Sequence, residues 1–189
     1  MTTERLFLNI LKSSLWGTKL DIPEDFDDWT SLMMLAKSQS VLGLVANVLL
    51  SNEEMQLRIP VKMQQRLRTF IRLNVATHSV LNRTLVQVVK LMDDAGIHSV
   101  LLKGQGVARN YPMPELRQCG DIDLYVGLDQ YSASYDVLQP LATKIDDRKA
   151  LEVGKHYDFF VGKVSVEVHR YSERYPTDRL DRIYQEISK

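Results

Sequence analysis

The sequence predicts an α+β protein. It divides into a helical N-terminal region over residues 1–95, a small mixed-sheet core with flanking helices over 96–171, and a C-terminal helix over 172–189. Three observations carry this reading. Apolar residues recur at helical spacing through the first half of the chain. After Gly96 they fall instead into short β-rich runs, two of which flank a two-residue turn signal. The tail then returns to a helical stripe.

Taken in order, Thr3 to Trp16 carries Leu6, Ile10 and Leu11 on one helical face. An acidic connector, Asp21 to Asp28, follows, and Asp27 or Asp28 is placed to cap the next helix because a carboxylate there accepts from free backbone N–H groups. That helix is expected to run to about Leu50. Pro60 suits a first helical turn, where its missing N–H costs nothing. From Val61 to Ala95 the positions Leu67, Phe70, Ile71, Val75, Leu81, Leu85, Val88, Val89 and Met92 keep a helical period, and Gly96 is a good stop. A helix of that length leaves room for a break. Trp16, Trp29 and the helically spaced methionines are read as core, and His78 and His98 as structural.

Beyond Gly96, Ile97 to Leu102 is a short strand, Asp121 to Val126 alternates polar and apolar, and Asp129 to about Ala142 is helical. His156 to His169 reads as a hairpin about Gly162-Lys163, since glycine at the first position suits a type II′ turn. That turn sets Val161 opposite Val164, Phe159 opposite Val166 and Tyr157 opposite Val168 on an apolar face. His156, Asp158 and Phe160 then share the other face with Ser165, Glu167 and His169. Thr177 to Ser188 puts Leu180, Ile183, Tyr184 and Ile187 on one helical stripe.

Composition excludes several classes. Apolar residues make up 44% of the 189 and charged residues 25%, which is ordinary for a globular protein. The 24 basic and 24 acidic residues cancel, whereas a non-specific nucleic-acid binder carries a basic excess, so nucleic acid is not favoured as partner. A near-neutral surface eases self-association, as in a homodimer. The lone Cys119 allows no intrachain disulfide, and Met1 to Arg5 opens without the apolar region of a signal peptide. The apolar run Val41 to Leu50 is too short to span a bilayer. A cytoplasmic protein without membrane partners is expected.

The chemistry concentrates in carboxylates. In a strand, residues two apart face the same side, so Asp121 and Asp123 point together with Tyr125. Two adjacent carboxylates repel, and a divalent cation relieves this; hard oxygen ligands suit Mg²⁺ or Mn²⁺. In the hairpin, Asp158 faces Glu167, a second carboxylate pair that calls for a cation or for solvent. Taken alone, an Asp-x-Asp pair also fits a solvated strand face near a sheet edge.

The flanking residues narrow the choice. Lys103-Gly104 after a strand, then Arg117, then Asp121-Ile-Asp123, then Val166-Glu167-Val168-His169 form the pattern LLKG…R…DIDLYV…VEVH. Over about residues 97–170 this resembles the uncharacterised nucleotidyltransferases of the polymerase-beta-like superfamily. The N-terminal helices fit that family's helical region but carry no diagnostic motif. The resemblance implies metal-dependent transfer of a nucleoside monophosphate from an NTP to a hydroxyl of an unknown acceptor, by a two-metal in-line displacement with Mg²⁺ or Mn²⁺. It implies Asp121, Asp123 and Glu167 as catalytic metal ligands, with Glu167 also a candidate proton acceptor. It implies Lys103, Gly104, Arg117 and His169 as nucleotide-binding residues. Arg117 reads equally as a salt-bridge partner of Glu115 or an aspartate, Lys103 as a solvated strand end, and His169 as an orienter of Glu167 or a surface residue. The wider superfamily has Gly-Ser at the turn where this chain has Gly104-Gln105. Lys103 and backbone N–H groups near Gly104 are the substitutes for the missing hydroxyl. A degenerate domain that binds nucleotide or a partner protein without turnover is the alternative.

Other motifs are weaker. Gly104-x-Gly106 lacks the third glycine of a dinucleotide-binding turn, and Gly162-Lys163 lacks the rest of a P-loop. His156, His169 and Glu167 with the aspartates make a donor set for zinc, although no HExxH or closely spaced His pair accompanies them. Cys119 reads as packed rather than reactive. Because the tail stripe needs something to pack on, one expectation is a truncated form that lacks further helices around the acceptor; the other is a stripe packed on the N-terminal helices or across a dimer.

Overall fold

The computed structural model describes residues 1–173, 175 and 177–187, and for 150, 185 and 187 the backbone alone. The protein is α+β, as expected, and falls into two compact units: residues 1–78 with 107–119, and residues 79–106 with 120–187.

The first unit is helical. α1 (Thr3–Trp16) begins where the Thr2 hydroxyl accepts from the Arg5 N–H and ends at Gly17, whose φ of 65° closes the helix. α2 (Trp29–Ser38) is capped by the Asp28 carboxylate on the Ser31 N–H. The helix expected to run on to Leu50 stops here. Ser40 takes a left-handed φ of 56°, the Val41 N–H reaches back to the Ala36 carbonyl, and α3 (Leu42–Ser51) starts as a separate element. Apolar periodicity continues across that turn, so the pattern alone does not reveal it. α4 (Glu53–Arg58), capped by Asn52, was not foreseen either. α5 (Val61–Asp94) runs unbroken for 34 residues, beginning from the Pro60 carbonyl.

Leu6, Ile10, Leu32 and Leu49 are fully buried and anchor this unit's core, each contributing about 1.5–3 kcal/mol of burial energy. Trp29 joins them, packed edge-on to Phe26. Trp16, read as core, is instead 71% exposed at the end of α1, and Met34 and Val75 are exposed too. A helical period identifies a face, but the ends and flanks of that face extend past the neighbours that would cover them.

The segment 107–119 is held to α5 by polar contacts. The Asn74 amide donates to the Glu115 and Arg117 carbonyls, and buried His78 Nε2 donates to the Arg117 carbonyl at 2.6 Å. Gly43 on α3 lies so close to the Leu116 carbonyl that a Cβ there would collide with it.

In the second unit α5 contributes buried Leu81, Val88 and Met92 and ends at Gly96, whose φ of 74° lets the Ile97 N–H return to the Met92 carbonyl. β1 (Val100–Leu101) is only two residues long. After α6 (Gln105–Ala108) come β2 (Asp121–Tyr125), α7 (Gly127–Leu138), β3 (Lys144–Ile145), α8 (Ala150–Val153), β4 (His156–Val161) and β5 (Val164–His169). The sheet order is β1-β2-β5-β4-β3, with β2 parallel to β5 and the other pairs antiparallel. The hairpin has the expected register, Val161 opposite Val164 through His156 opposite His169, about Gly162 at φ 61°.

α7 covers the apolar face. Tyr157 meets Tyr131 and Tyr135 at ring distances of 5.3 Å, and its hydroxyl bonds the Ser134 hydroxyl at 3.0 Å. Ile122, Leu124, Phe159, Val166 and Val168 fill the rest. α9 (Asp178–Ile187) carries the tail stripe, with Leu180 and Ile183 exposed. The Ile187 side chain and Ser188, which the sequence reading placed on that helix, lie outside the described residues.

Candidate functional site

The face of the sheet away from α7 carries the ionisable residues, because both strand phases are fixed by the apolar residues on the other side. Parallel pairing sets Asp123 level with Glu167, and the hairpin sets Asp158 level with Glu167, so three carboxylates form a row across β2, β5 and β4. Asp121 lies one step along with Ser165, and Tyr125, His169 and His156 form the next row on the other side. Neighbouring strands lie about 4.8 Å apart, close enough for such like charges to repel.

Asp121, Asp123 and Glu167 offer ligand oxygens all within 4.8 Å of one another. Asp123 is completely buried, and its Oδ2 has no hydrogen-bond partner among the described residues. Its Oδ1 is well supplied: Lys103 Nζ lies 2.7 Å away and His169 Nε2 3.2 Å away. His169 Nε2 also lies 3.3 Å from Glu167 Oε2. His156 Nε2 stands 3.6 Å from Asp158 Oδ1 and 4.0 Å from Glu167 Oε2.

Electrostatics follow from this geometry. The hydrogen bond to Asp123 raises the Lys103 pKa, with the nearby Asp121 and Glu167 charges adding to it, so the ammonium stays charged. Burial raises the Glu167 pKa above the usual carboxylate range, against the pull of His156, and Asp123 pushes it further up. Burial, with His156 adding to it, lowers the His169 pKa below the ordinary imidazole value, so at neutral pH the ring supplies little positive charge to offset its acidic neighbours.

Lys103 reaches Asp123 because β1 continues one residue: the Leu102 N–H donates to the Asp123 carbonyl at 3.0 Å. Gly104 then turns the chain with φ 54°, a left-handed conformation that favours glycine. Gln105, next after this turn, is buried, and neither of its amide atoms has a partner among the described residues.

The structure thus brings Lys103, Asp121, Asp123, Glu167 and His169 together, with Gly104 next to Lys103. Arg117 belongs to the first unit, where its guanidinium lies 2.7 Å from Cys119 Sγ; no salt bridge to Glu115 or an aspartate occurs among the described residues. His169 is buried, not a surface residue. Asp158 and His156 join the cluster, and their hairpin register was the signal for both. The Lys103–Asp123 ion pair had no such signal, because it depends on β1 lying beside β2.

Fold and site together describe an α+β protein with a partly buried acidic cluster able to hold a divalent cation. The chain belongs to the uncharacterised nucleotidyltransferase family, whose description matches residues 25–188, most of the N-terminal helices included. Its activity class is accordingly nucleotidyl transfer. No curated protein and no solved structure matches the chain. Among the described residues, no helix is long and apolar enough to cross a membrane.

Proposed function

We propose that this protein moves a nucleoside monophosphate from an NTP to an acceptor hydroxyl and releases pyrophosphate, with Mg²⁺ or Mn²⁺ held by Asp121, Asp123 and Glu167. The observation that carries this reading is the convergence of those three carboxylates on one sheet face, with the buried Asp123 Oδ2 left unpartnered. Acceptor-only oxygens packed this closely fit a hard cation rather than one another. When bound, such ions neutralise the triphosphate and acidify the acceptor hydroxyl.

The chain's own groups have separate tasks. Lys103 and the backbone N–H groups at Gly104 and Gln105 hold phosphate oxygens in place of the missing serine. Glu167, whose pKa burial already raises, accepts the proton of the attacking hydroxyl. His169 holds the Glu167 carboxylate in position. The acceptor is a small molecule, a protein side chain or an RNA end.

The test supplies each labelled NTP with Mg²⁺ or Mn²⁺ and pools of acceptors, and measures both pyrophosphate release and label transfer. Wild type is expected to transfer, and Asp121→Asn and Asp123→Asn to remain folded with transfer abolished. Equal turnover in wild type and both variants overturns the assignment. Nucleotide-dependent thermal stabilisation without pyrophosphate release identifies a binding module instead.

A further inference from the structure

His156, next to the carboxylates, has no role in the proposed transfer, and it stands beside two residues that do, Glu167 and His169. His156 and His169 are directly opposed across β4 and β5, and Glu167 stands two residues before His169 on the same face. One ligand atom from each of the three lies within 4.8 Å of the others. The imidazole rings are 4.9 Å apart, centroid to centroid.

We propose that His156, Glu167 and His169 form a site for a borderline first-row cation of the Zn²⁺ class, distinct from the all-oxygen triad but sharing Glu167 with it. The chemistry of the donor set separates the two: imidazole suits zinc and its neighbours, whereas carboxylates alone suit magnesium, calcium and manganese. The spacing suits it as well. A tetrahedral ion bound at about 2.0–2.1 Å holds its donors roughly 3.3–3.4 Å apart. The His169–Glu167 pair already stands at 3.3 Å, and the His156–Glu167 pair at 4.0 Å. Bringing the His156–Glu167 pair to that spacing takes a shift of about 0.6 Å at the His156 ring.

His169 is 4% exposed, yet its Nδ1 has no hydrogen-bond partner among the described residues, and the same holds for the buried Nδ1 of His156. A metal-bound imidazole normally donates its second ring N–H to a carboxylate, a carbonyl or water, so these Nδ1 atoms neither mark the position of the ion nor supply its outer partners. The Nε2 atoms face the carboxylates: that of His169 lies 3.2 Å from Asp123 Oδ1 and 3.3 Å from Glu167 Oε2, and that of His156 lies 3.6 Å from Asp158 Oδ1 and 4.0 Å from Glu167 Oε2. Three protein donors leave the fourth tetrahedral position for water or for a ligand, the arrangement of reactive rather than structural zinc. Because Glu167 serves both sites, an ion here withdraws that carboxylate from the triad. The donors come from a hairpin register and not from neighbouring turns of a helix, which is why no HExxH-type spacing marks them in the sequence.

The test titrates the metal-free full chain with Zn²⁺ by calorimetry and with Co²⁺ by visible absorption. One ion per chain is expected, with the intense d–d bands of a tetrahedral site containing nitrogen ligands. His156→Gln, a change at a half-exposed position, is expected to weaken Zn²⁺ binding at least about tenfold, while Asp121→Asn leaves it unchanged. Weak octahedral Co²⁺ bands in the wild-type chain overturn the proposal whether or not any variant folds. So does Zn²⁺ affinity that is equal in His156→Gln and wild type, or lost in Asp121→Asn. Neither readout depends on nucleotidyl transfer, so the zinc site and the proposed reaction stand or fall separately.

Discussion

Lys103→Met isolates the strongest charge contact in the site. Methionine keeps most of the apolar stem and removes only the ammonium, which lies 2.7 Å from Asp123 Oδ1. The two ends of this pair differ: the lysine side chain is 57% exposed and the aspartate is fully buried. Exposed ion pairs contribute about 0–1 kcal/mol, while stripping one partner from a buried pair costs about 3–5 kcal/mol. A pair with one end in water falls between, so a loss of about 2 kcal/mol is expected, or about 4–8 °C in melting temperature for a chain of this size. The assay is thermal and urea denaturation of wild type, Lys103→Met, Asp123→Asn and the double variant, each in chelator and in Mn²⁺. Lys103→Met should destabilise the metal-free chain much less when Asp123 is already neutral, and Mn²⁺ should stabilise Lys103→Met more than wild type because the ammonium no longer competes for Oδ1. An unchanged melting temperature in chelator, or an equal loss in the Asp123→Asn background, refutes the reasoning.

Other outcomes follow from the packing. Gly43→Ala drives a methyl group into the Leu116 carbonyl and should lower stability by about 1–3 kcal/mol, read as a shifted denaturant midpoint; a neutral result would show that α3 and the 107–119 segment separate freely. Burial raises the Tyr131 pKa to about 12 and raises that of Tyr157 further, so neither should ionise in the folded protein near pH 10, as ultraviolet difference spectra can establish. The sign is that of a raised folded-state pKa: their contribution is fully present below the unfolded value of about 10 and is lost as pH rises toward 12, which predicts alkaline unfolding with late tyrosine ionisation. Gly104→Ala forces a side chain into a left-handed φ of 54° and should cost about 1 kcal/mol, while displacing Lys103 enough to weaken its coupling to Asp123 in the same denaturation cycle.

Local chemistry by itself determined a good deal. The apolar period of residues 61–94 specified a helix, Gly96 its end, and Asp27 or Asp28 the start of α2, where Asp28 is the residue that caps it. Two-residue alternation around Gly162-Lys163 specified the hairpin register, and with it the facing of Asp158 to Glu167 and of His156 to His169. These features depend on neighbours within a few residues, where backbone geometry leaves few choices. The tertiary structure alone decided which strands lie side by side. Alternation gives Asp123 a face but no partner; parallel pairing of β2 with β5 sets it level with Glu167, and β1 on the other edge delivers Lys103 to it. The same holds for exposure. Trp16 has the spacing of a core residue and stands in solvent, while Asp123 has the chemistry of a surface residue and is completely buried. Period and composition describe what a side chain prefers. Burial depends on whether another part of the chain arrives to cover it, and for a charged group on whether a cation arrives with it.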